Sequence, residues 1–423
     1  MAASRGEWKR VPAISLLSGT HLCHNPRVLK EATALGEAGF AVEVLGAWFD
    51  PSLKAQDQAM LAGRPFRFTP VLDLAVPGAA GALRQFAIRM CAKAGQVAYA
   101  AIDVPNRWQL GYAVGALSRA AGCRSADLFI AHSEAALLVA QRLLGSGRRI
   151  GVDMEDWFSE DLLPEARRHR PTRWLHQMER TLLTEGAHTT CPSQAMSQAL
   201  ATAYGCAPPA VVYNAFPWAD RDKVDGRRLD RPARTIPSIH WYSQMVGRGR
   251  GLEDLLAALP YLEHDAEIHL RGKPVHGFDE WLAARVPPEW RSRVHVHGIV
   301  TSDTLLSRIA EHDIGFAGEM NFAASRELTV TNKILHYLLA GLAVVASDTP
   351  GQREVSSRAK GAVLLYPSGD EQALAVQLNR LLSSPALLQE AKSSALQAAR
   401  RTFCWEEQSK VLLASVTRAI GMP

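Results

Sequence analysis

The sequence predicts an α/β protein with two doubly wound, parallel-sheet domains. Short apolar runs alternate with segments of helical period, and a charged stretch at 219–232 interrupts the alternation before it resumes. Strand–helix–strand units of this length favour right-handed crossovers and parallel strands. A chain of 423 residues also exceeds the roughly 250–300 residues at which a single core stops growing. We therefore expect two domains that face each other across a cleft.

Several apolar runs in the N-terminal half are predicted to be strands. These runs are residues 12–18, 41–47, 127–132, 149–155, 188–193 and 210–214. The segment between the first two has helical period and ends at Gly39, a residue type that commonly follows a helix. The stretch at 219–232 is rich in charge and poor in apolar residues, which is typical of a linker. We predict a first domain over 1–218.

The same alternation predicts a second domain over 233–402. Its predicted strands are residues 238–243, 267–272, 295–300, 313–319, 340–347 and 363–367. Ligands of doubly wound sheets bind beyond the carboxyl ends of the strands. The residues that follow these runs are therefore the candidates for a binding site.

The composition, 47% hydrophobic with a net charge of +5, is that of an ordinary soluble protein. No apolar run approaches the roughly 18 residues of a membrane span, and residues 1–19 fit a first strand better than a signal peptide. The six cysteines form no CxxC pair, which argues against a disulfide framework or a zinc site. We expect a reduced, cytoplasmic location and no metal.

Two basic segments carry tryptophan. Residues 84–124 contain six basic residues and one acid, with Trp108 among them, and the run 167–180 contains Trp174. Such segments suit an anionic lipid surface, although solvated helix faces with core aromatics explain them equally well. The basic residues form no dense patch of the kind that binds nucleic acid. The first interpretation predicts peripheral attachment to the cytoplasmic face of a membrane.

A glycine-rich turn follows the first strand of the second domain. Gly247, Gly249 and Gly251 precede an amphipathic helix, and glycine lets a backbone approach a ligand closely. The helix N-terminus adds about half a positive charge. These features suit a diphosphate, with Arg248 and Arg250 as nearby cations. An ordinary strand-to-helix turn accounts for the same pattern.

The second candidate is the loop and helix that follow the run 313–319. Glu319 lies at the carboxyl end of that run, where a carboxylate can accept hydrogen bonds from sugar hydroxyls. Thr331 is a reasonable N-cap. The N–H groups of Asn332 and Lys333 at the helix N-terminus would then point toward phosphate or sugar oxygens. An ordinary capped helix of the core would explain Thr331. It would not explain why the glycine-rich turn and the loop that bears Glu319 precede this helix in that order.

That order resembles a known family. The stretch 315–355, with an NK-x-x-x-Tyr-x-x-Ala-Gly helix beginning at Asn332, resembles the nucleotide-sugar segment of retaining GT-B glycosyltransferases, especially family-four-like bacterial enzymes. The resemblance implies two Rossmann-like domains, of which the first binds the acceptor and the second binds the nucleotide sugar. It also implies that a C-terminal helix, 403–423, crosses back to the first domain.

The chain departs from the family pattern at two places. When Arg250 takes the position of the family's Lys, the preceding Arg of the pattern falls on Gln244 or Met245. The two glutamates of the family motif fall on Leu328 and His336. These departures keep a non-catalytic role open.

The resemblance and the residue chemistry together imply three sets of site residues. The predicted catalytic residues are His132, Glu319 and Arg250. The predicted donor-binding residues are Gln244, Gly247, Arg248, Gly249, Gly298, Val300, Glu327, Thr331, Asn332, Lys333 and His336. The predicted acceptor-binding residues, of which the first two lie in a segment that resembles the family's opening, are Asn25, Arg27 and Asp156.

These assignments predict a retaining, metal-independent glycosyltransferase of the hexosyltransferase type. It would move a sugar from a nucleoside diphosphate sugar to a carbohydrate or lipid-linked acceptor in cell-surface polysaccharide or glycolipid synthesis, without a cofactor or a nucleic acid partner. Two alternatives remain. A nucleotide-sugar epimerase would use the acids near Asp153 for elimination chemistry, and a non-catalytic glycosyltransferase-like partner subunit would release no nucleoside diphosphate.

Overall fold

The computed structural model describes residues 10–422 except 163–166, 168–169, 234, 250 and 320–322. The chain forms two compact units. Unit 1 consists of residues up to Cys191, Ser197–Val212 and the residues from Ser409 onward, and unit 2 consists of Pro192–Met196 and Tyr213–Gln408.

Unit 1 contains a parallel sheet of seven strands in the order β3-β2-β1-β4-β5-β6-β7. The strands are β1 (Ala13–Leu17), β2 (Ala41–Trp48), β3 (Arg67–Asp73), β4 (Leu128–Ala131), β5 (Ile150–Asp153), β6 (His188–Cys191) and β7 (Ala210–Val211). Every residue of β4 and β5 is buried, as is typical of parallel strands covered on both faces.

The helices of unit 1 lie between its strands along the chain. They are α1 (Pro26–Glu37), α2 (Pro51–Leu61), α3 (Ala79–Ile102), α4 (Val114–Gly122), α5 (Glu134–Gly145) and α6 (Thr172–Glu185). The Asn25 side chain accepts a hydrogen bond from the N–H of Val28, and Pro26 occupies the first position of α1. A further helix, α7 (Gln194–Tyr204), begins in residues that belong to unit 2.

Unit 2 contains a parallel sheet of six strands in the order β10-β9-β8-β11-β12-β13. The strands are β8 (Ser238–Val246), β9 (Glu267–Pro274), β10 (Val294–His297), β11 (Ile314–Ala317), β12 (Ala343–Ser347) and β13 (Val363–Tyr366). Trp241, Ile268 and Leu270 lie in the apolar core of this unit. Side chains alternate along a strand, so His240 and His269 lie on the opposite face of the sheet.

The helices of unit 2 follow its strands in the expected alternation. They are α8 (Leu252–Ala258), α9 (Phe278–Ala283), α10 (Ser302–Ile309), α11 (Ala324–Leu328), α12 (Asn332–Ala340), α13 (Pro350–Arg358), α14 (Glu371–Leu382) and α15 (Pro385–Arg401). The last helix, α16 (Trp405–Ala419), passes into unit 1 at Ser409. None of the helices in the described ranges has the length and apolar character needed to cross a lipid bilayer.

The predicted fold class, two doubly wound α/β domains, is confirmed. The sequence analysis missed β3, which carries Pro70 and lies at the edge of its sheet. Proline is tolerated there because an edge strand has one side without ladder hydrogen bonds.

The structure divides the chain between Val212 and Tyr213, whereas the sequence analysis ended the first domain at 218. The stretch 219–232, predicted to be a linker, lies within unit 2. Its charged residue Arg231 is buried there and pairs with Asp313. This part of the stretch is therefore packed into unit 2, while Asp222, Arg227 and Arg228 are exposed.

Candidate functional site

In each sheet the strand order reverses beside the first strand, so that the connections on its two sides run toward opposite edges of the sheet. In unit 2 this switch point lies between β8 and β11, which are neighbouring strands. Ligands of doubly wound sheets bind beyond the carboxyl ends of the strands at such a point. The glycine-rich turn that begins at Gly247 follows β8, and Glu319 follows β11. The structure therefore brings two of the predicted pieces to one place.

The glycine-rich turn packs directly on the backbone that follows β11. Gly249 and Gly251 have φ angles of +75° and +78°, which residues with side chains rarely adopt. A Cβ atom at Gly251 would lie 2.6 Å from the carbonyl oxygen of Gly318. The N–H of Gly249 donates to Glu253 Oε1 at 2.8 Å, so a carboxylate of α8 takes this donor in place of a phosphate.

Glu319 is held from three directions. Its N–H donates to Ser347 Oγ at 2.8 Å, and its carbonyl oxygen accepts a hydrogen bond from Ser368 Oγ at 2.9 Å. Its Oε1 pairs with Lys333 Nζ at 2.7 Å, and both side chains are 14% exposed. An arriving ligand would meet a carboxylate and an ammonium that are already in place, which is the arrangement that stabilises developing charge most effectively.

Helix α12 begins after Thr331, as predicted, but the Thr331 side chain does not cap it. Its Oγ1 is buried and has no hydrogen-bond partner among the described residues. The Asn332 side chain accepts a hydrogen bond from the amide of Asn214 at 3.0 Å, and Lys333 Nζ lies 5.6 Å from the centre of the Trp241 ring. Because no side chain of the described chain caps α12, its first-turn N–H groups remain suited to an anion.

His336 is held by two aromatic residues. Its Nδ1 lies 2.6 Å from the Tyr242 hydroxyl, and its ring stacks on Phe216 with centroids 3.4 Å apart. Burial raises the pKa of the Tyr242 phenol well above its ordinary value, so this hydroxyl stays neutral. The ribose contact predicted for His336 stays a prediction.

The remaining donor-site candidates lie at or near strand ends and loops of unit 2. Those that the structure describes are Gln244, Arg248, Gly298, Val300 and Glu327. The carbonyl oxygen of Gly298 accepts a hydrogen bond from Arg271 at 2.7 Å. Arg250, predicted to be catalytic, lies outside the described residues.

The predicted residues of unit 1 form a buried ionic cluster. Arg27 pairs with both oxygens of Asp153, with Nη2 2.9 Å from Oδ1, and donates to the carbonyl oxygen of Val212 at 2.6 Å. Glu31, one turn along α1, lies 3.3 Å from Arg27 Nε and 3.4 Å from His132 Nε2. The four ionisable side chains are at most 3% exposed.

Glu155 closes this cluster on its partly exposed side. His132 Nδ1 lies 3.0 Å from Glu155 Oε1, and Asn25 Nδ2 donates to the same oxygen at 2.8 Å. Asp156, the next residue and a predicted acceptor contact, is half-buried. The contacts therefore join the start of α1 to the residues that follow β4 and β5.

The cluster shifts the pKa values of its members in different directions. Burial alone would lower the pKa of His132, but the neighbouring carboxylates, led by Glu31, raise it to about 9. Burial and the charge of Asp153 raise the pKa of Glu31 to about 8. Burial would also raise the pKa of Asp153, but Arg27 and His132 hold it well below its usual range. At neutral pH Asp153 is therefore ionised, while the cluster holds protons on His132 and Glu31 more tightly than the free side chains would.

These contacts describe three of the predicted residues. Asn25 and Arg27, predicted to contact the acceptor, donate to carboxylate and carbonyl groups of unit 1. His132, predicted to reach the donor sugar, has no exposed surface. The acceptor contacts of Asn25 and Arg27 and the sugar contact of His132 stay predictions.

The sequence analysis did not single out Glu31. Its spacing from Arg27 was the available signal, because residues four apart on a helix lie on one face and form ion pairs. Arg27 and Glu31 lie on the side of α1 that carries Val28 and Leu35, and these two apolar residues are buried. This placement indicates that the charged pair is buried and not solvated.

Comparison with protein-family models gives a match within unit 2. A family model described as glycosyl transferases group 1 matches residues 237–384, the segment from β8 through α14 that holds the glycine-rich turn, Glu319 and Lys333. A search of curated protein sequences gives no match.

Solved structures align with nearly the whole chain. Sucrose-phosphate synthase from Thermosynechococcus elongatus has a TM-score of 0.69 at 14% identity, covering 96% of this chain and 98% of that chain. HepE from Anabaena, in complex with UDP, has a TM-score of 0.66 at 16% identity, with 96% and 100% covered. A glycosyltransferase from Rickettsia africae ESF-5 has a TM-score of 0.67 at 12% identity, with 97% and 99% covered. At these identities the likeness shows the fold.

Residues 237–384 thus match the group 1 glycosyltransferase model, and the fold of the chain is the GT-B fold of these solved structures. The matched segment lies entirely within unit 2. Its match includes the switch point between β8 and β11. Unit 1 lies outside this family match, and its likeness to known proteins is a likeness of fold.

Proposed function

We propose that this chain is a retaining, metal-independent glycosyltransferase that moves a hexose from a nucleoside diphosphate sugar to a carbohydrate or lipid-linked acceptor. One observation carries the proposal. At the switch point of unit 2, between β8 and β11, the Glu319–Lys333 pair lies beside a glycine-rich turn and the uncapped first turn of α12. A related fold, HepE, was solved with UDP and with UDP-glucose, so UDP-glucose is the first donor to test.

In the proposed reaction, the bond between the sugar and the diphosphate breaks while the acceptor hydroxyl attacks from the same face. Negative charge grows on the leaving diphosphate, and Lys333 and the N–H groups of α12 stabilise it. The acceptor proton passes to the departing diphosphate. Glu319 stabilises the positive charge that develops on the sugar.

A panel of nucleoside diphosphate sugars tests the proposal. The intact protein is mixed with each donor, and thermal stabilisation and release of nucleoside diphosphate are measured. We expect one donor class to raise the melting temperature and to release nucleoside diphosphate slowly, by hydrolysis, without an acceptor. Donor turnover that produces an epimer would support the epimerase alternative, and a panel without stabilisation or release would contradict a donor site.

A matched pair of variants tests the assignment of Glu319. Glu319→Gln keeps the shape of the side chain but removes its charge, so it should lower turnover more than donor affinity if the carboxylate acts in the transition state. Glu327→Gln, on the neighbouring helix α11, tests the other candidate carboxylate in the same way. A larger loss of turnover at Glu327 would move the role to that residue.

The acceptor side of the proposal rests on α3. Leu83, Phe86, Met90 and Val97 of this helix are between 53% and 69% exposed, and their spacing places them on one stripe. Arg84, Arg89 and Lys93 on the same helix are also exposed. An exposed apolar stripe flanked by cations suits the interface of an anionic membrane. We propose that α3 attaches the enzyme to the cytoplasmic face, where lipid-linked acceptors of polysaccharide or glycolipid synthesis would lie.

Sedimentation with anionic vesicles tests this attachment. Each basic residue near such a surface contributes about 1 kcal/mol, so binding at low salt should fade as salt is added. Arg84→Glu with Arg89→Glu should abolish it, whereas Arg142→Glu with Arg149→Glu, on another surface of unit 1, should not. Equal losses in both double variants would show that net charge alone, and not α3, attracts the vesicles.

A further inference from the structure

A row of histidines crosses the sheet of unit 2 on the face opposite its apolar core. His240 of β8, His269 of β9 and His295 of β10 are register partners on three adjacent strands. His297 follows on β10, and His312, just before β11, stacks on His240 with ring centroids 4.4 Å apart. The proposed donor site uses none of these imidazoles, so they call for a separate explanation.

Three side chains of this row converge like a metal site. Glu267, His269 and His295 each offer one ligand atom, and these atoms lie within 4.8 Å of one another. Glu267 Oε2 lies 3.4 Å from His269 Nε2, close to the about 3.3 Å that separates two ligands of a tetrahedral zinc ion bound at roughly 2.0–2.1 Å. Two imidazoles and one carboxylate are a donor set that zinc and related divalent ions accept, with one position left for water.

A hydrogen-bond relay orients the central ligand. His269 Nδ1 lies 2.9 Å from His297 Nε2, and His297 Nδ1 lies 3.4 Å from Asp230 Oδ1. Histidines that bind metals commonly donate their second ring nitrogen to a partner of this kind, which fixes the ring and its tautomer. The relay therefore supplies the outer support that a metal-binding histidine needs.

We propose that a divalent transition metal ion, zinc in the first instance, binds between Glu267, His269 and His295. The nearest fixed positive charge is Arg231, whose Nε lies 3.3 Å from Glu267 Oε2, and Asp313 pairs with the other side of that guanidinium at 2.8 Å. The charge of Arg231 is therefore shared between Glu267 and Asp313. The two imidazoles and the one carboxylate then determine which ion binds.

The metal site lies away from the proposed donor site. Glu267 is the first residue of β9, at the amino end of the strands, whereas the donor candidates lie at their carboxyl ends. An ion at this position would join β9 to the edge strand β10 and would take no part in glycosyl transfer. The inference therefore stands independently of the proposed function.

Titration with Co²⁺ and Zn²⁺ tests the site directly. Full-length protein without an affinity tag is first dialysed against a chelator. We expect one equivalent of Co²⁺ to give the visible absorption of a low-symmetry site, and Zn²⁺ to displace it and to raise the melting temperature. Glu267→Gln and His295→Ala should each weaken binding at least about tenfold, since even outer partners of metal ligands commonly contribute 10- to 100-fold.

The control is His276→Ala, which removes an exposed histidine between β9 and α9 and should leave affinity unchanged. Circular dichroism shows whether each variant is folded, and His297→Ala tests the relay without removing a ligand. Absence of stoichiometric binding in the unaltered protein would overturn the proposal. Unchanged affinity in folded Glu267→Gln and His295→Ala variants, or an equal loss in His276→Ala, would overturn it as well.

Discussion

The two sheets place charge at their switch points in opposite ways. In unit 1, the charged side chains beyond β4 and β5 turn toward one another, and Arg27, His132 and Asp153 are buried. In unit 2, the pair of Glu319 and Lys333 beyond β11 stays partly exposed. The same topology therefore produces a closed cluster in one sheet and charged groups that solvent and ligands can reach in the other.

The difference teaches that a position at the carboxyl end of a strand does not by itself make a binding residue. A buried charge needs partners, and when those partners come from the protein the group is fixed and occupied. A charge that keeps some exposure, with its backbone fixed, can still meet a ligand. Three changes of residue or pH test this contrast, from the largest expected effect to the smallest.

Removing Arg27 should destabilise unit 1. Arg27→Ala leaves Asp153 buried without its guanidinium, and breaking such a pair typically costs about 3–5 kcal/mol. The free energy of unfolding, measured with urea, should fall by this amount. Arg10→Ala removes an ion pair to Asp127 in which the Arg10 side chain is 69% exposed, and it should cost less than about 1 kcal/mol. Similar losses in the two variants would refute the contrast between closed and open charges.

Removing Lys333 should affect binding and not folding. Lys333→Ala should lower affinity for the nucleoside diphosphate by about 1.5–3 kcal/mol, the range for a charge-assisted hydrogen bond, as measured by calorimetry. Lys392→Ala is the matched control, because Lys392 pairs with Asp313 at 2.9 Å and is 17% exposed. An affinity that does not change in folded Lys333→Ala protein would remove this residue from the donor site.

Raising the pH should weaken unit 1. His132 and Glu31 have folded-state pKa values of about 9 and about 8, above their ordinary values of 6.5 and 4.5, so the folded protein holds both protons more tightly. The stability from this difference is complete below the ordinary values and is lost as pH rises through the folded ones. Between pH 6.5 and pH 9.5 the free energy of unfolding, measured with urea, should therefore fall.

Glu31→Gln removes one of the two titrating groups and should make the stability curve flatter over this interval. The pKa of Asp153 is lowered in the folded protein, so its contribution to stability has the opposite pH dependence. That contribution is lost only in acid, where Asp153 becomes protonated. A stability that rises from pH 6.5 to pH 9.5 would contradict the protonation states that we assign to the cluster.

Most of the fold could be predicted because parallel strands covered on both faces read as continuous apolar runs. β4 and β12 are such strands, and every residue in them is buried. Helix α3 was not predicted as a helix, since its large apolar residues are exposed and its segment was read only for its charge. The edge strand β3 was missed because Pro70 interrupts its pattern.

The site could be predicted only in part. The positions of Glu319 and Lys333 could be predicted because their order along the chain places them at a strand end and a helix start. The pairing of Arg27 with Asp153 joins residues 126 positions apart, and no local pattern indicates which of several acids a buried arginine will meet. The histidine row was missed for the same reason, since strand register brings its members together.

The composition of unit 1 determines the order in which the molecule can be completed on a ribosome. Its sheet is made by residues up to Val212, but Ser409 and the residues after it also belong to it, and Ser415 lies 2.9 Å from His188 Nδ1. Domains generally fold as they emerge, the first one first. Here the first unit to emerge must wait, with the surface around His188 uncovered, until the whole of unit 2 has been synthesised.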